Sequence, residues 1–176
     1  MKTALGVFMM FVISAMIRTA VADENVKFSG TLVALPCTIP ASDQQIPVHF
    51  GTVNAHDLYL GETMPRLPFV LHLNDCDPNV AGRVSVTFSG TEDPELPGLL
   101  GLDSSQSGAS GVAIGLESAG GDHISLNKST SAYELSEGDN VLPFRAYIAG
   151  EPDALKQQAI QTGDFNTTAV LELSYE

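Results

Sequence analysis

The side chains of this 176-residue sequence that could bind a metal or transfer a proton are scattered, and none falls into the spacing of a known site. No HExxH or comparable ligand spacing is formed by the four histidines, which are His49, His56, His72 and His123. Paired carboxylates such as Glu92 and Asp93 occur in any acidic chain, and nothing places two of them across a cleft. We therefore expect no catalytic residue and no metal site among these side chains.

Two loops begin like functional motifs without completing them. The segment that starts at Asp75 begins like a calcium-binding loop, but Val80 stands where that loop needs glycine and Val86 where it needs glutamate. The serine-rich residues 104–111 contain no GxSxG nucleophile motif and are better explained as a flexible connection between strands. The sequence therefore predicts neither an enzyme nor a bound cofactor.

The first 22 residues have the layout of a secretory signal peptide. Lys2 precedes an apolar run from Leu5 to Ile17, and residues 20–22 form a small-x-small cleavage site. A membrane anchor is the weaker alternative, because a run of about thirteen residues is shorter than the roughly twenty that a span needs. We expect residues 1–22 to be removed, which leaves a chain of one-domain length.

The two cysteines of the exported chain, Cys37 and Cys76, allow only one pairing. A chain that leaves the reducing cytoplasm favours a disulfide between them. A metal site or a catalytic thiol is the competing interpretation, but the sequence contains no CxxC motif and no activating histidine nearby. We therefore predict a structural disulfide.

The charge of the sequence excludes one class of partner. The signal peptide contains two of the eight basic residues and none of the 21 acidic ones, so its removal takes the net charge from −13 to −15. Phosphate backbones are bound by clustered lysine and arginine. Nucleic acid is therefore not an expected partner.

Most of the chain alternates between apolar and polar residues with the period of a β-strand. Such runs occur at residues 46–50, 69–73, 84–88, 112–116, 124–126 and 142–148. Only residues 153–160 favour a helical turn, since Pro152 suits a first helical position. The pattern predicts an all-β sandwich of the immunoglobulin type.

Both ends of the exported chain also alternate. At the carboxyl end, one face of a predicted strand carries Ala169, Leu171, Leu173 and Tyr175. At the amino end, one face of a longer run carries Val26, Phe28, Gly30 and Leu32. This run is longer than a typical strand, and it is either the first strand of the sandwich or an arm followed by a first core strand at residues 32–39.

Several short motifs, in this order and spacing, resemble the pilus subunits that Gram-negative bacteria assemble by the chaperone–usher pathway. The motifs are FSG at 28–30, LPC at 35–37, FVLHLNDC at 69–76, VTFSGT at 86–91, LPFRAYI at 142–148 and GDFNTTAVLELSYE at 163–176. The resemblance covers essentially the whole exported chain. LPFRAYI followed by EPDAL and GDF is most similar to the adaptor-type minor subunits of P pili.

The resemblance implies an incomplete immunoglobulin-like sandwich that lacks its last strand. It divides the exported chain into a donor-strand arm at residues 23–34 and a pilin domain at residues 35–176. Val26, Phe28, Gly30 and Leu32 of the arm would enter a neighbouring subunit in a head-to-tail polymer on the bacterial surface. The edge beside the vacant position would be Ala169, Leu171, Leu173, Tyr175 and Glu176.

The resemblance also implies two assembly partners. A periplasmic chaperone would lend a strand to this edge, and its basic residues would hold the C-terminal carboxylate of the chain, at Glu176. At an outer-membrane usher, the arm of the next subunit would replace that strand.

Two functions of other classes remain open at this point. A secreted single-domain carbohydrate-binding sandwich is the main alternative, although the sequence lacks tryptophan, a common sugar-stacking residue. A hydrolase is a more distant alternative, because no catalytic group of residues stands out.

Overall fold

A computed structural model describes residues 27–32, 34–61 and 65–176 of the chain. The chain separates into two units after Val33, so that Ala34–Glu176 is one compact unit and residues 27–32 are described by themselves. The predicted signal peptide and Val26 lie outside the described residues. Among the residues that are described, no helix has the length and apolar character to cross a membrane.

The compact unit is a sandwich of two antiparallel sheets, which confirms the predicted fold class. The described strands are β1 (Leu67–Cys76), β2 (Arg83–Ser89), β3 (Val112–Ser118), β4 (His123–Ile124), β5 (Tyr133–Glu134), β6 (Gly138–Gly150) and β7 (Val170–Tyr175). One sheet has the order β1-β6-β3-β4 and the other the order β5-β2-β7. Helices α1 (Ala55–Tyr59) and α2 (Pro152–Gln157) and a 3-10 turn at Ala41–Gln44 lie in the connections.

The core lies between the sheets and is built from the inward residues of the alternating runs. Phe144 of β6 is its centre, since its ring centroid lies 5.1 Å from that of Phe88 on the other sheet and 5.5 Å from that of Phe69 on β1. The edge-to-face geometry of the first pair is one that aromatic rings favour. Full burial of each such side chain stabilises the fold by roughly 1.5–3 kcal/mol.

The predicted disulfide between Cys37 and Cys76 is present, and both residues are buried. Beside it, the Thr38 and Asn74 main chains exchange two hydrogen bonds of 2.8 Å. The bridge closes a loop with a sequence separation of 39 residues. In the loop-entropy description it stabilises the fold by roughly 4 kcal/mol. It therefore fixes the start of the compact unit to the end of β1.

Three predicted segments differ from the structure. Residues 46–50 belong to no strand, the described residues of 32–39 contribute only an isolated bridge at Thr38, and residues 27–32 contain no strand. A strand exists only when a neighbour accepts its hydrogen bonds, whereas alternation reports only which side chains are apolar. Helix α1 was not predicted; its signal is Asn54, whose side chain accepts a hydrogen bond from the His56 amide at 3.0 Å.

One buried carboxylate fastens the 3-10 turn to the free edge of β1. Asp43, with 7% of its side chain exposed, accepts a 2.7 Å hydrogen bond from the His72 amide and lies 2.8 Å from the His72 ring Nδ1. Burial opposes ionisation, but these contacts and a hydrogen bond from the Ser42 hydroxyl outweigh it and hold the pKa of Asp43 below its usual value. The contact fixes the point where residues 45–53 begin.

We expect Asp43→Asn to lower the free energy of unfolding of residues 23–176 by about 1–2 kcal/mol near neutral pH, because the charged partner of the His72 amide, the His72 ring and the Ser42 hydroxyl is lost. Since the folded-state pKa is depressed, this contribution is present above the unfolded-state pKa of about 3.9 and disappears as the pH falls below it. Urea titrations between pH 3 and 7 measure the difference. Asp164→Asn, at an exposed carboxylate, is the control, and equal losses in both variants would contradict the assignment.

Candidate functional site

Among the described residues, strand β7 has a hydrogen-bonding partner on one side only. Arg83 and Glu176 exchange main-chain hydrogen bonds of 3.1 and 2.9 Å, and the antiparallel register continues to Ser89↔Val170. In such a ladder alternate residues bond to the partner. The amides of Leu171, Leu173 and Tyr175 therefore point away from β2, toward an edge at which no described strand lies.

A second stretch of main chain is also unpaired. Among the described residues, no main-chain hydrogen bond involves residues 45–53, which belong to no helix or strand. Its apolar side chains, Ile46, Val48, Phe50 and Val53, pack partly buried against the core. Buried or half-buried main-chain groups without partners are unfavourable. The stretch therefore has the properties of a strand without a neighbour.

The two unpaired stretches come together at one end, and we call the apolar surface that their side chains form the groove. At one end the ring centroid of Phe50 lies 6.0 Å from that of Phe165, which precedes β7. The groove is lined by partly buried side chains, namely Ile46, Val48, Phe50, Phe165, Ala169, Leu171, Leu173 and Tyr175. Burial raises the pKa of the Tyr175 hydroxyl. The groove thus combines apolar side chains with free main-chain donors and acceptors.

Paired residues of β2 and β7 differ in their exposure to solvent. Val86 faces Leu173 and Phe88 faces Leu171, and all four side chains point toward the core. The β2 residues are fully buried, whereas their β7 partners remain partly exposed. Inward apolar residues that stay open to solvent at a sheet edge create an aggregation hazard unless another element covers them.

Two small cavities lie close to the Phe50 end of the groove. One, of about 120 Å³, is lined by Phe50, Val53, Leu67 and Ile148 among others, and the other, of about 70 Å³, by Leu58, Ile160 and Phe165 among others. Both are well below the roughly 300–1,000 Å³ of small-molecule sites. They fit protruding side chains of a docked segment better than a cofactor or a substrate.

The predicted arm residues belong to the first unit of the chain, which is described by itself. Phe28 is 91% exposed and Leu32 is fully exposed. Gly30 has open space where a side chain would begin. Val26 lies outside the described residues. Large apolar side chains that are this exposed suit a segment that binds another surface.

The residues that could have done chemistry do not come together. Across the described part of the chain, no three His, Cys, Asp or Glu side chains are placed to hold a metal ion. His72 serves the Asp43 contact instead. The unpaired main chain at residues 45–53 was not predicted, because the alternation at residues 46–50 favours an ordinary sandwich strand.

The comparisons with known proteins agree with this geometry. A family profile described as fimbrial protein matches residues 26–176. The fimbrial-like protein YfcP of Escherichia coli is 36% identical over 157 residues, covering 88% of this chain and 84% of the relative. The fimbrial adapter PapK of Escherichia coli is 32% identical over 160 residues, covering 86% of this chain and 88% of that protein.

A solved structure extends the likeness to the fold. The crystal structure of the P pilus rod subunit PapA superposes with a TM-score of 0.69 at 24% identity, covering 81% of this chain and 100% of that one. The profile match spans nearly all of the described chain and two relatives exceed 30% identity. The chain belongs to the fimbrial protein family, the pilus subunits of the chaperone–usher pathway.

Proposed function

We propose that this protein is a non-enzymatic structural subunit of a bacterial surface pilus, and that its groove is completed by a β-strand from another protein. The observation that carries the proposal is the pair of unpaired main-chain stretches, at β7 and at residues 45–53, on either side of an apolar groove. A strand added between them would satisfy main-chain donors and acceptors and would place alternate side chains into the core.

The energetics favour a strand over a small ligand. Each apolar side chain that becomes fully buried contributes roughly 1.5–3 kcal/mol, and each ladder hydrogen bond adds about 0.5–1.5 kcal/mol. Loss of translational and rotational freedom offsets part of this gain. Because both contributions grow with the length of the paired segment, an extended chain with alternating apolar residues is the ligand that the groove fits best.

The arm at residues 23–34 is the complementary half of the same contact. Val26, Phe28 and Leu32 would supply alternate apolar side chains to the groove of a neighbouring subunit, and Gly30 would allow close approach of the two main chains. A groove in one unit and an arm in the other form a head-to-tail contact that does not close on itself. Repetition of this contact produces a fibre.

Before assembly, a periplasmic chaperone would occupy the groove. The edge residues Ala169, Leu171, Leu173 and Tyr175 would pair with a chaperone strand, and the carboxylate of Glu176 would be held by basic groups. The group held in this way is the chain-terminal carboxylate and not the Glu176 side chain, whose Oε2 atom lies 3.4 Å from Nη2 of Arg83. An outer-membrane usher would then exchange the chaperone strand for the arm of the next subunit.

The position in the fibre is the finer part of the proposal. The relative PapK is described as a fimbrial adapter and is 32% identical to this chain. Together with the LPFRAYI, EPDAL and GDF segments, this likeness supports a minor, adaptor-type subunit in a structure used for cell adhesion.

We expect deletion of residues 23–32 to leave folding on the chaperone intact and to abolish incorporation into a preceding subunit, because the apolar donor face is removed. Immunoblots of sheared pili and of the soluble chaperone complex measure the two steps separately. The matched control is the double substitution Ser29→Ala and Thr31→Ala, on the opposite face of the arm, which should assemble normally. Normal assembly of the deleted chain would refute the role of the arm.

Substitution within β7 tests the groove independently of the arm. Leu173→Asp places a charge on the groove face and should reduce the yield of co-purified chaperone complex by roughly tenfold or more, since the burial of a leucine is lost. Removal of Tyr175 and Glu176 should have a similar effect. Val170→Asp, on the exposed opposite face of the same strand, is the matched control. Unchanged capture of both β7 variants would count against the groove.

A further inference from the structure

The outer surface of the four-stranded sheet carries a small apolar patch that the groove does not use. Where β1 and β6 pair, Val70 lies opposite Pro143, and His72 lies opposite Val141. Val141 is 51% exposed and Val70 is 36% exposed, and Pro68 and Pro143 are exposed beside them. We call Pro68, Val70, Val141 and Pro143 the outer patch. Short, rigid side chains of this kind suit face-to-face packing against another sheet.

One end of the outer patch is cationic. Arg145 follows Pro143 on the same face of β6, and its Nη1 atom lies 3.9 Å from Oε1 of Glu117, a carboxylate that is 5% exposed. Glu117 also contacts Arg66, whose Nε atom lies 2.9 Å from Oε1. Arg66 in turn lies over the Tyr147 ring, 5.3 Å from its centroid. These contacts hold both guanidinium groups in place while 42% of each side chain stays exposed.

The other end of the outer patch is acidic. Asp139 lies on the same face of β6 and is exposed, and its Oδ1 atom accepts a 3.4 Å hydrogen bond from the amide of Asp75. Along β6, Asp139 and Arg145 are six residues apart, a distance of about 20 Å at the rise of an extended strand. Along β6 the face therefore has opposite charges at its two ends and the apolar residues Val141 and Pro143 between them, with His72 of β1 opposite Val141.

The order of these residues is symmetric about Leu142. Val141 and Pro143 stand one position on either side of it, and Asp139 and Arg145 stand three positions on either side. A two-fold rotation about an axis through this point places Arg145 of one copy over Asp139 of the other, and Val141 over Pro143. Surfaces that complement themselves in this way form isologous contacts.

We propose that the outer patch, with Arg145 and Asp139 at its ends, is a two-fold contact surface for a second copy of this chain. The choice of a second copy follows from charge complementarity. The sequence has 21 acidic and eight basic residues, so two copies that meet through other surfaces mostly bring carboxylates together. On this face Arg145 of each copy would pair with Asp139 of the other. The inference goes beyond the proposed function and does not depend on strand exchange.

The contact is weak between free copies. Four apolar residues and two ion pairs fall short of the roughly 1,000 Å² that a stable interface buries. The pairing is therefore expected as a concentration-dependent, salt-sensitive dimer.

Sedimentation velocity across a range of concentrations tests the proposal. The sample is the exported chain as it is purified, together with any protein that remains bound in its groove. Arg145→Glu and Asp139→Arg should each weaken dimerisation by about tenfold, and the double variant that carries both should recover to within about threefold of the original chain. General charge repulsion predicts instead that Asp139→Arg strengthens association, because it reduces the net negative charge.

Matched controls separate the local contact from other effects. Lys156→Glu makes the same charge change as Arg145→Glu on helix α2, and Glu137→Arg makes the same change as Asp139→Arg just before β6. Neither should weaken the dimer. The proposal is overturned if no dimer forms at millimolar concentration, if the double variant fails to recover, or if the controls weaken the dimer as much as the test variants do.

Discussion

In the described part of the chain, the main chain of β7 is hydrogen-bonded on one side only, and the proposed assembly depends on that open edge. Main-chain donors and acceptors are strong, and proteins rarely leave them without partners in an apolar setting. Here the amides of Leu171, Leu173 and Tyr175 face the groove beside their own half-buried side chains. A strand from another protein would satisfy the main-chain groups and cover the apolar side chains together, and the proposed assembly rests on this.

Before a strand is added, the compact unit must be stabilised by contacts within the chain. The Cys37–Cys76 disulfide fixes the start of the compact unit to β1, and the Asp43–His72 contact fixes the turn from which residues 45–53 depart. The aromatic cluster around Phe144 joins the sheets away from the open edge. Covalent, ionic and apolar contacts thus define the walls of the groove, while the main chain of residues 45–53 keeps its hydrogen-bonding groups available.

The sequence predicted those features that depend on local pattern. The alternation at residues 69–73, 84–88 and 142–148 identified the central strands, because each has a permanent partner within the chain. The same alternation at residues 46–50 led to a wrong prediction, since period two reports an apolar face and not the presence of a neighbour. The contact between Phe50 and Phe165 and the carboxylate of Asp43 could not be predicted, because they depend on how distant segments pack.

Residue-level hydrogen exchange on β7 tests the open edge most directly. In the free exported chain, the amides of Leu171, Leu173 and Tyr175 should exchange rapidly and those of Glu172 and Ser174 slowly, because only the second set bonds to β2. A peptide with the sequence of residues 23–34 should then slow the first set. Equal protection of all five amides before the peptide is added would contradict the account.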